Sequence, residues 1–270
     1  MRPLYVNTHD KTYLTADGPQ LVIFDPDNGE TRVPVKNINT VQVRGRALID
    51  SAAILLLANN DIPIVIAETK TRKNVLILPY NHYLPKYHRE QRVILKSIQN
   101  IDKYVKWLET QRMYQQINVI NRISPSLQIN NQIGDGNYQQ WIKTRRPKNL
   151  SAWQAVKSAV RLLFRSIITE KLMKAKLDLH LGGYFRRVNF GLVLDVALIL
   201  DPRVDEQCLL FFNQKNWQLL LQTKSDGNFL LTDAGHRNVV HRFENKKAQL
   251  GDEIERIIDD YFSFLRELRI

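Results

Sequence analysis

VQVRGRALIDSAAILLLANNDIPIVIAE, residues 41–68, reads as strand, turn, helix, strand. Thr40 to Val43 is β-branched at three of four positions, and Gly45 then breaks it. Ile49 to Asn59 is apolar and unbroken, with Asp50 or Ser51 placed to cap a helix. IPIVIA (62–67) returns to strand composition. Upstream, short apolar or β-branched segments recur at Leu4–Val6, Thr12–Leu14, Leu21–Phe24 and Thr31–Val35. Turn formers separate them: Asp17-Gly18, Pro26 to Gly29 and Lys36-Asn37. Downstream, NVLILP (74–79) follows a charged turn, ETKTRK. A strand meander leading into strand–helix–strand predicts a β-sandwich-like N-terminal domain carrying one helix, over residues 1–82.

From Pro85 the period changes. Ile94, Ile98, Ile101, Val105 and Leu108 recur every three or four residues, which predicts a helix to about Val119. Pro125 and the polar QINNQIGDGN (128–137) end it, and a short segment, Tyr138 to Thr144, leads to Arg145-Arg146-Pro147. A second long helix fits Ser151 to Lys176, capped by Ser151 or Asn149. The apolar run Phe190 to Leu200 is too short to span a bilayer, which needs ~20 apolar residues, so it reads as a buried helix or strand. A helix or strand through Leu209–Phe212, a hairpin turn in SDGNFLLT (225–232) and a helix from Asp252 to Leu268 complete the chain. The class is therefore α+β, with a mostly α-helical C-terminal domain over residues 86–270.

The chain has 270 residues with ordinary globular fractions, 44% hydrophobic and 24% charged. MRPLYVNTHDKTYL lacks the apolar core of a signal peptide, and no apolar run reaches membrane length. A single cysteine, Cys208, excludes an internal disulfide and a cysteine zinc cluster. These features predict a soluble, cytoplasmic protein with no membrane partner. The net charge of +12 is unevenly placed: residues 143–187 hold 12 Lys/Arg against two acids, Glu170 and Asp178. A concentrated positive segment points to an anionic partner, with nucleic acid the first expectation.

Within that segment Lys157, Arg161 and Arg165 stand at i, i+4 and i+8 of the predicted helix, stacked on one face. Like charges so placed repel unless phosphates neutralise them. Lys143, Arg145, Arg146, Lys148, Arg186 and Arg187 flank them and extend the expected DNA-binding face. Of the nearby aromatics, Tyr138, Trp141 and Tyr184 are candidates to stack on unpaired bases, while Trp153 and Phe185 suit a core. Asp195 is the single acid in the run 190–200, and a buried carboxylate demands a partner. The six histidines are scattered, and no HExxH, GxSxG or phosphate-loop pattern occurs. By residue chemistry alone this is a basic binding protein without a recognisable active site.

Three stretches resemble the CRISPR adaptation integrase family, the Cas-one proteins. Residues 41–68 resemble that family's valine-rich strand, glycine, helix and "gIPv" phrase. TRRPKNLSAWQAVKSAVRLLFRSI (144–167) resembles its R-rP-dp-NalL-fgYall segment, with Gln154 in place of Asn and Arg161 in place of Tyr. LLTDAGHRNVVHRFENK (230–246) resembles its C-terminal segment. The resemblance implies an N-terminal β domain used for homodimerisation and a helical domain that binds DNA. It also implies a divalent-metal site of Glu, His and Asp, often with a further acid one turn beyond. Here IGDGNYQQW puts Asp135 at the Glu position, LDLHLGGYF puts Phe185 at the His position, Asp195 keeps the Asp, and Leu198 replaces the further acid. What the resemblance implies is a site reduced to two remnant carboxylates, Asp195 and Asp135, with no cofactor expected.

The expectation is a DNA-binding member of that family with an impaired or dead catalytic site, paired with itself, with the Cas-two partner or with an active paralogue. The enzymatic alternative is a working metal-dependent DNA endonuclease/integrase using magnesium or manganese through relocated ligands, His180 being the residue nearest to hand. A third reading, an interaction protein with no DNA role, runs against the clustered charge.

Overall fold

The structure, a computed structural model, describes residues 2–8, 11–67, 74–78, 84–127, 133–225 and 227–268. The turn ETKTRK, the run 79–83, the polar stretch 128–132 and Asp226 of the predicted hairpin turn lie outside the described residues. The chain divides into two compact units, Met1–Leu84 and Pro85–Ile270.

Unit one holds β1 (Arg2–Asn7), β2 (Thr12–Asp17), β3 (Gln20–Asp25), β4 (Gly29–Pro34), β5 (Ile38–Arg44), β6 (Ala47–Ile49), α1 (Ser51–Asn59), β7 (Ile64–Ala67) and β8 (Asn74–Ile77). One mixed sheet runs β1-β5-β7-β8, and a second runs β4-β3-β2-β6. The pairing β5–β7 is parallel, so the chain between them must cross over, and α1 makes that crossing. Asp50 is its cap: its carboxylate accepts from the Ala52 amide at 3.1 Å and from the hydroxyls of Tyr13 and Thr15, each at 2.9 Å. The start of α1 is thereby tied to β2. Leu14, Leu21, Ile38, Val41, Leu57 and Ile64 are among the residues of one core drawn from both sheets and the helix.

Unit two is mostly helical: α2 (His88–Gln91), α3 (Ile98–Ile123), α4 (Asp135–Arg145), α5 (Leu150–Lys174), α6 (Gly191–Ile199), α7 (Asp201–Phe212), a hairpin of β9 (Leu221–Thr223) and β10 (Phe229–Leu231), then α8 (Asp233–Glu244) and α9 (Lys247–Glu267). Asn149, not Ser151, caps α5, accepting from the Ala152 amide at 3.1 Å. α5 is the central element, packing against α6, α7, α8 and α9. Its buried side includes Trp153, Val156, Val160, Phe164 and Ile168. The apolar run read as helix or strand is the helix α6, and Leu209–Phe212 belong to α7. α8 carries a weaker apolar stripe than α9, and its start was not legible from periodicity. Thr232 begins it, accepting from the Gly235 amide at 3.0 Å.

Leu57 is fully buried while Leu55, on the same helix, is 60% exposed. Leu57→Ala is expected to destabilise unit one by about 2–5 kcal/mol. Leu55→Ala should stay within about 0.5 kcal/mol; urea unfolding of both variants measures the contrast.

Candidate nucleic-acid interface and the Asp195 site

The loop from Leu177 to Phe190 doubles back over the N-terminal turns of α6. Close packing allows this only with glycine at three points. A Cβ on Gly182 would meet the Asp195 Oδ2 at 2.8 Å, one on Gly183 would overlap the Tyr104 ring, and one on Gly191 would meet the Phe185 carbonyl oxygen at 2.5 Å. Asp195 is fully buried. Its Oδ2 accepts from the Tyr104 hydroxyl at 2.8 Å and from the amides of Gly183 and Tyr184 at 2.8 and 3.2 Å. Its Oδ1 accepts from the Phe185 amide at 2.9 Å. Burial raises the Asp195 pKa, and these four donors hold back part of the rise. Burial, and then the charge of Asp195, push the Tyr104 phenol far above its ordinary value, so it remains a donor. The partners demanded by this buried acid are thus three backbone amides and the Tyr104 hydroxyl, and Arg186 and Arg187 are exposed.

Asp135 has separate partners. It opens α4 and accepts from Arg112 at 2.9 Å and Gln116 at 2.6 Å. Tyr104 and Arg112 are eight residues apart on α3, about 12 Å along a helix axis. Asp135 is satisfied by that helix, whereas Asp195 takes one donor from it and three from the loop.

The cation stack is the main correction. The predicted face of three phosphate-seeking charges holds for only part of it. Lys157 is buried, and its ammonium donates to Asp201 at 3.0 Å and to Asp205 at 2.6 Å. Arg161 donates through Nε and Nη2 to the other oxygen of Asp201, at 2.9 and 2.8 Å. The acids come from α7, which the i, i+4 geometry of α5 alone does not reveal. Burial raises the Asp201 pKa, but Lys157 and Arg161 outweigh it and hold Asp201 below its ordinary value. Burial also raises Asp205, with Lys157 acting against it. Tyr138, read as a base-stacking candidate, is buried and donates to Asp205 at 3.3 Å. Trp153 is buried, as its core reading requires. Arg165 is exposed and has no ion pair among the described residues. Lys143, Arg145, Arg186 and Arg187 are also exposed, Arg146 is half-buried, and Arg145 lies over the Trp141 ring at 4.4 Å.

The model of the CRISPR associated protein Cas1 family matches residues 4–146. The chain belongs to the Cas1 family. No curated protein matches it significantly in sequence. Among solved structures, a CAS1 protein from Thermotoga maritima superposes with a TM-score of 0.78 at 17% identity, covering 98% of this chain and 96% of that one. A casposase bound to integration product gives 0.72 at 16% identity, covering 91% and 82%. A TtCas1–DNA complex gives 0.64 at 13% identity, covering 97% and 91%.

Asp195 and Asp135, the two carboxylates that the sequence resemblance assigns to a metal, each have protein donors in this fold. Phe185 contributes its amide to Asp195 and packs its ring edge-on against Tyr184, with centroids 5.0 Å apart. Leu198 offers no donor atom, and both Asp195 oxygens already accept protein hydrogen bonds. Among the described residues no three of His, Cys, Asp and Glu converge as a ligand set. His180, the suggested relocated ligand, accepts from the Phe190 amide at 3.2 Å and packs against that ring at 4.5 Å. The group missed in the sequence is Asp201–Asp205–Lys157–Arg161. Its one visible signal is the pair of acids four apart in DPRVD, across from a basic helix.

Because Lys157 sits between two buried acids, Lys157→Glu is expected to cost at least about 3 kcal/mol of stability, and reversing this stack would report folding as much as DNA binding. Asp201 has a depressed pKa in the fold, so its contribution is present above its unfolded pKa and lost as pH falls through the lower folded value. The difference in Tm between the wild type and Asp201→Asn should therefore be full near neutral pH and shrink below about pH 4, as thermal melts across that range would show.

Proposed function

We propose that this Cas1 family member binds DNA through the basic face of its helical unit and neither cuts nor joins it. The observation that carries the second half is the Asp195 carboxylate: four internal donors satisfy it, one of them the amide of the phenylalanine at the family's histidine position. Magnesium keeps several waters and demands near-octahedral oxygen ligands. An aspartate whose oxygens already serve a loop is poorly placed to supply them.

The first half is supported by the cations that the fold leaves exposed. Arg165, Arg186 and Arg187 are uncompensated by ion pairs among the described residues, and Lys143 and Arg145 add to them at the end of α4. The similar TtCas1 structure is a DNA complex, and another similar structure is a Cas6-RT-Cas1–Cas2 complex, with a TM-score of 0.69 at 13% identity. On this reading the chain works as a structural subunit, pairing with itself through unit one and acting beside a Cas2-type partner or an active paralogue. Leu48 of unit one, 68% exposed, is apolar surface available to such pairing. Among the described residues no helix is long and apolar enough to cross a membrane.

Duplex affinity is expected to fall steeply with salt, each phosphate contact contributing about −0.9 to the slope of log K against log salt. Reversing Arg145, Arg186 and Arg187 to Glu should weaken binding by at least about tenfold and flatten that slope by about 3 units. The same reversal at Lys11 and Lys36 of unit one should leave both unchanged; Lys70, a further control, lies outside the described residues. In magnesium or manganese no cleavage or strand transfer is expected. Metal-dependent strand transfer abolished by Asp195→Ala would instead establish the enzymatic reading, with His180→Ala the next variant to assay.

A further inference from the structure

A cleft of about 230 Å³, counting its mouth, lies where α5, α7 and α8 meet, lined by Val160, Gln207, Phe211, Val239, Arg242 and Phe243. Its apolar residues are at most 5% exposed, so its floor is core. Two polar groups face it. Gln207 is 9% exposed, yet its side-chain amide makes no hydrogen bond among the described residues. Buried amides are normally paired, as those of Gln91 and Gln116 in the same unit are. Arg242 is half-buried, and its Nη2 donates to the Leu210 carbonyl oxygen at 2.7 Å, which leaves Nε and Nη1 free to donate. It has no ion pair among the described residues, because the acids of α7 are engaged elsewhere: Asp201 and Asp205 by Lys157 and Arg161, Glu206 by Arg122 and Arg203. Burial therefore lowers the Arg242 pKa with no acid to oppose it. Gln214, just past α7, and Asn238 of α8 exchange amide hydrogen bonds at 3.4 and 3.3 Å and hold the two helices together. An uncompensated guanidinium and a donor amide over an apolar floor match an anion with an apolar stem. A carboxylate fits the planar fork of arginine. The floor has room for about one water-sized group, which admits a methyl or methylene and excludes a nucleobase ring.

We propose that the cleft between α5, α7 and α8 is a carboxylate site, in which Arg242 and Gln207 donate to the carboxylate of a short aliphatic acid whose stem rests on Val160, Phe211, Val239 and Phe243. The acid is either a free short-chain carboxylate or the side chain of a glutamate or aspartate, and the chemistry recognised is the same. The site is independent of the DNA-binding reading. A phosphodiester presents bulkier ester groups to a floor that has no room for them, so the cleft selects against nucleic acid.

The test titrates the full, isotope-labelled chain with sodium propionate at constant ionic strength, reading the NMR signals of the Gln207 side-chain amide and the Arg242 Nε–H. In the wild type both should move along one saturating curve. Gln207→Leu should keep the wild-type Tm, since the amide it removes has no partner. It should also weaken propionate binding, read at Arg242, by about tenfold, the scale of one hydrogen bond to a charged group. Arg242→Gln should abolish the response at Gln207. Propionamide, of the same shape without the charge, should move neither signal. A capped Ala-Glu-Ala tripeptide and its Ala-Gln-Ala counterpart separate the two sources. Saturation by the glutamate peptide below the propionate concentration assigns the site to a protein side chain, and a response to propionate alone assigns it to a free acid. Static wild-type signals overturn the proposal whether or not the variants fold. So does propionate binding that is unchanged in Gln207→Leu, or an equal response to propionamide. An equal response to sulfate or dimethyl phosphate overturns it in favour of a general anion contact.

Discussion

A carboxylate buried in an apolar helix has to find donors, and the way Asp195 finds them shapes the centre of the helical unit. Its acceptance of three consecutive backbone amides and the Tyr104 hydroxyl ties α6, the preceding loop and α3 at one point. The glycines at 182, 183 and 191 follow from that constraint, because the loop must approach both the carboxylate and the tyrosine ring too closely for a Cβ. Phe190 bears part of the same cost. It begins α6 in the left-handed region at φ 61°, a conformation that β-carbon sterics disfavour, and its amide is compensated by His180.

A second buried network orders the other side of α5. Lys157 bridges Asp201 and Asp205, Arg161 forks onto Asp201, and Tyr138 reaches Asp205 from α4. Two helices, α5 and α7, are registered by charge–charge contacts that are expensive to desolvate and therefore intolerant of losing one partner, and a neutral phenol hydrogen bond adds α4. Arg203 makes a similar tie from α7 to Glu253 of α9, at 2.9 Å. The result is a basic unit whose inner cations are spoken for and whose outer ones, Arg165, Arg186 and Arg187, are not. Net charge alone does not distinguish the two sets.

Both carboxylates singled out in the sequence have structural partners. Asp135 accepts from Arg112 and Gln116 at the start of α4, and Asp195 holds a loop. Phe185 contributes to it through its amide and not its side chain.

The sequence by itself determined the elements whose cause is local. Alternation and turn residues marked the strands of unit one apart from β6, the cap candidates Asp50 or Ser51 and Ser151 or Asn149 marked the starts of two helices, and the three-to-four-residue period marked α3, α5 and α9. Tertiary structure alone decided which charges are free. Lys157 and Arg165 occupy the same face of one helix and read alike in the chain, yet α7 pairs Asp201 and Asp205 with the first and makes no ion pair with the second among the described residues. It also decided what answers Asp195, since backbone amides carry no residue name and their convergence depends on a loop closing over a helix. Electrostatic pairing across 44 and 48 residues of chain is a property of packing, and the one-dimensional pattern of charges contains the partners without their pairing.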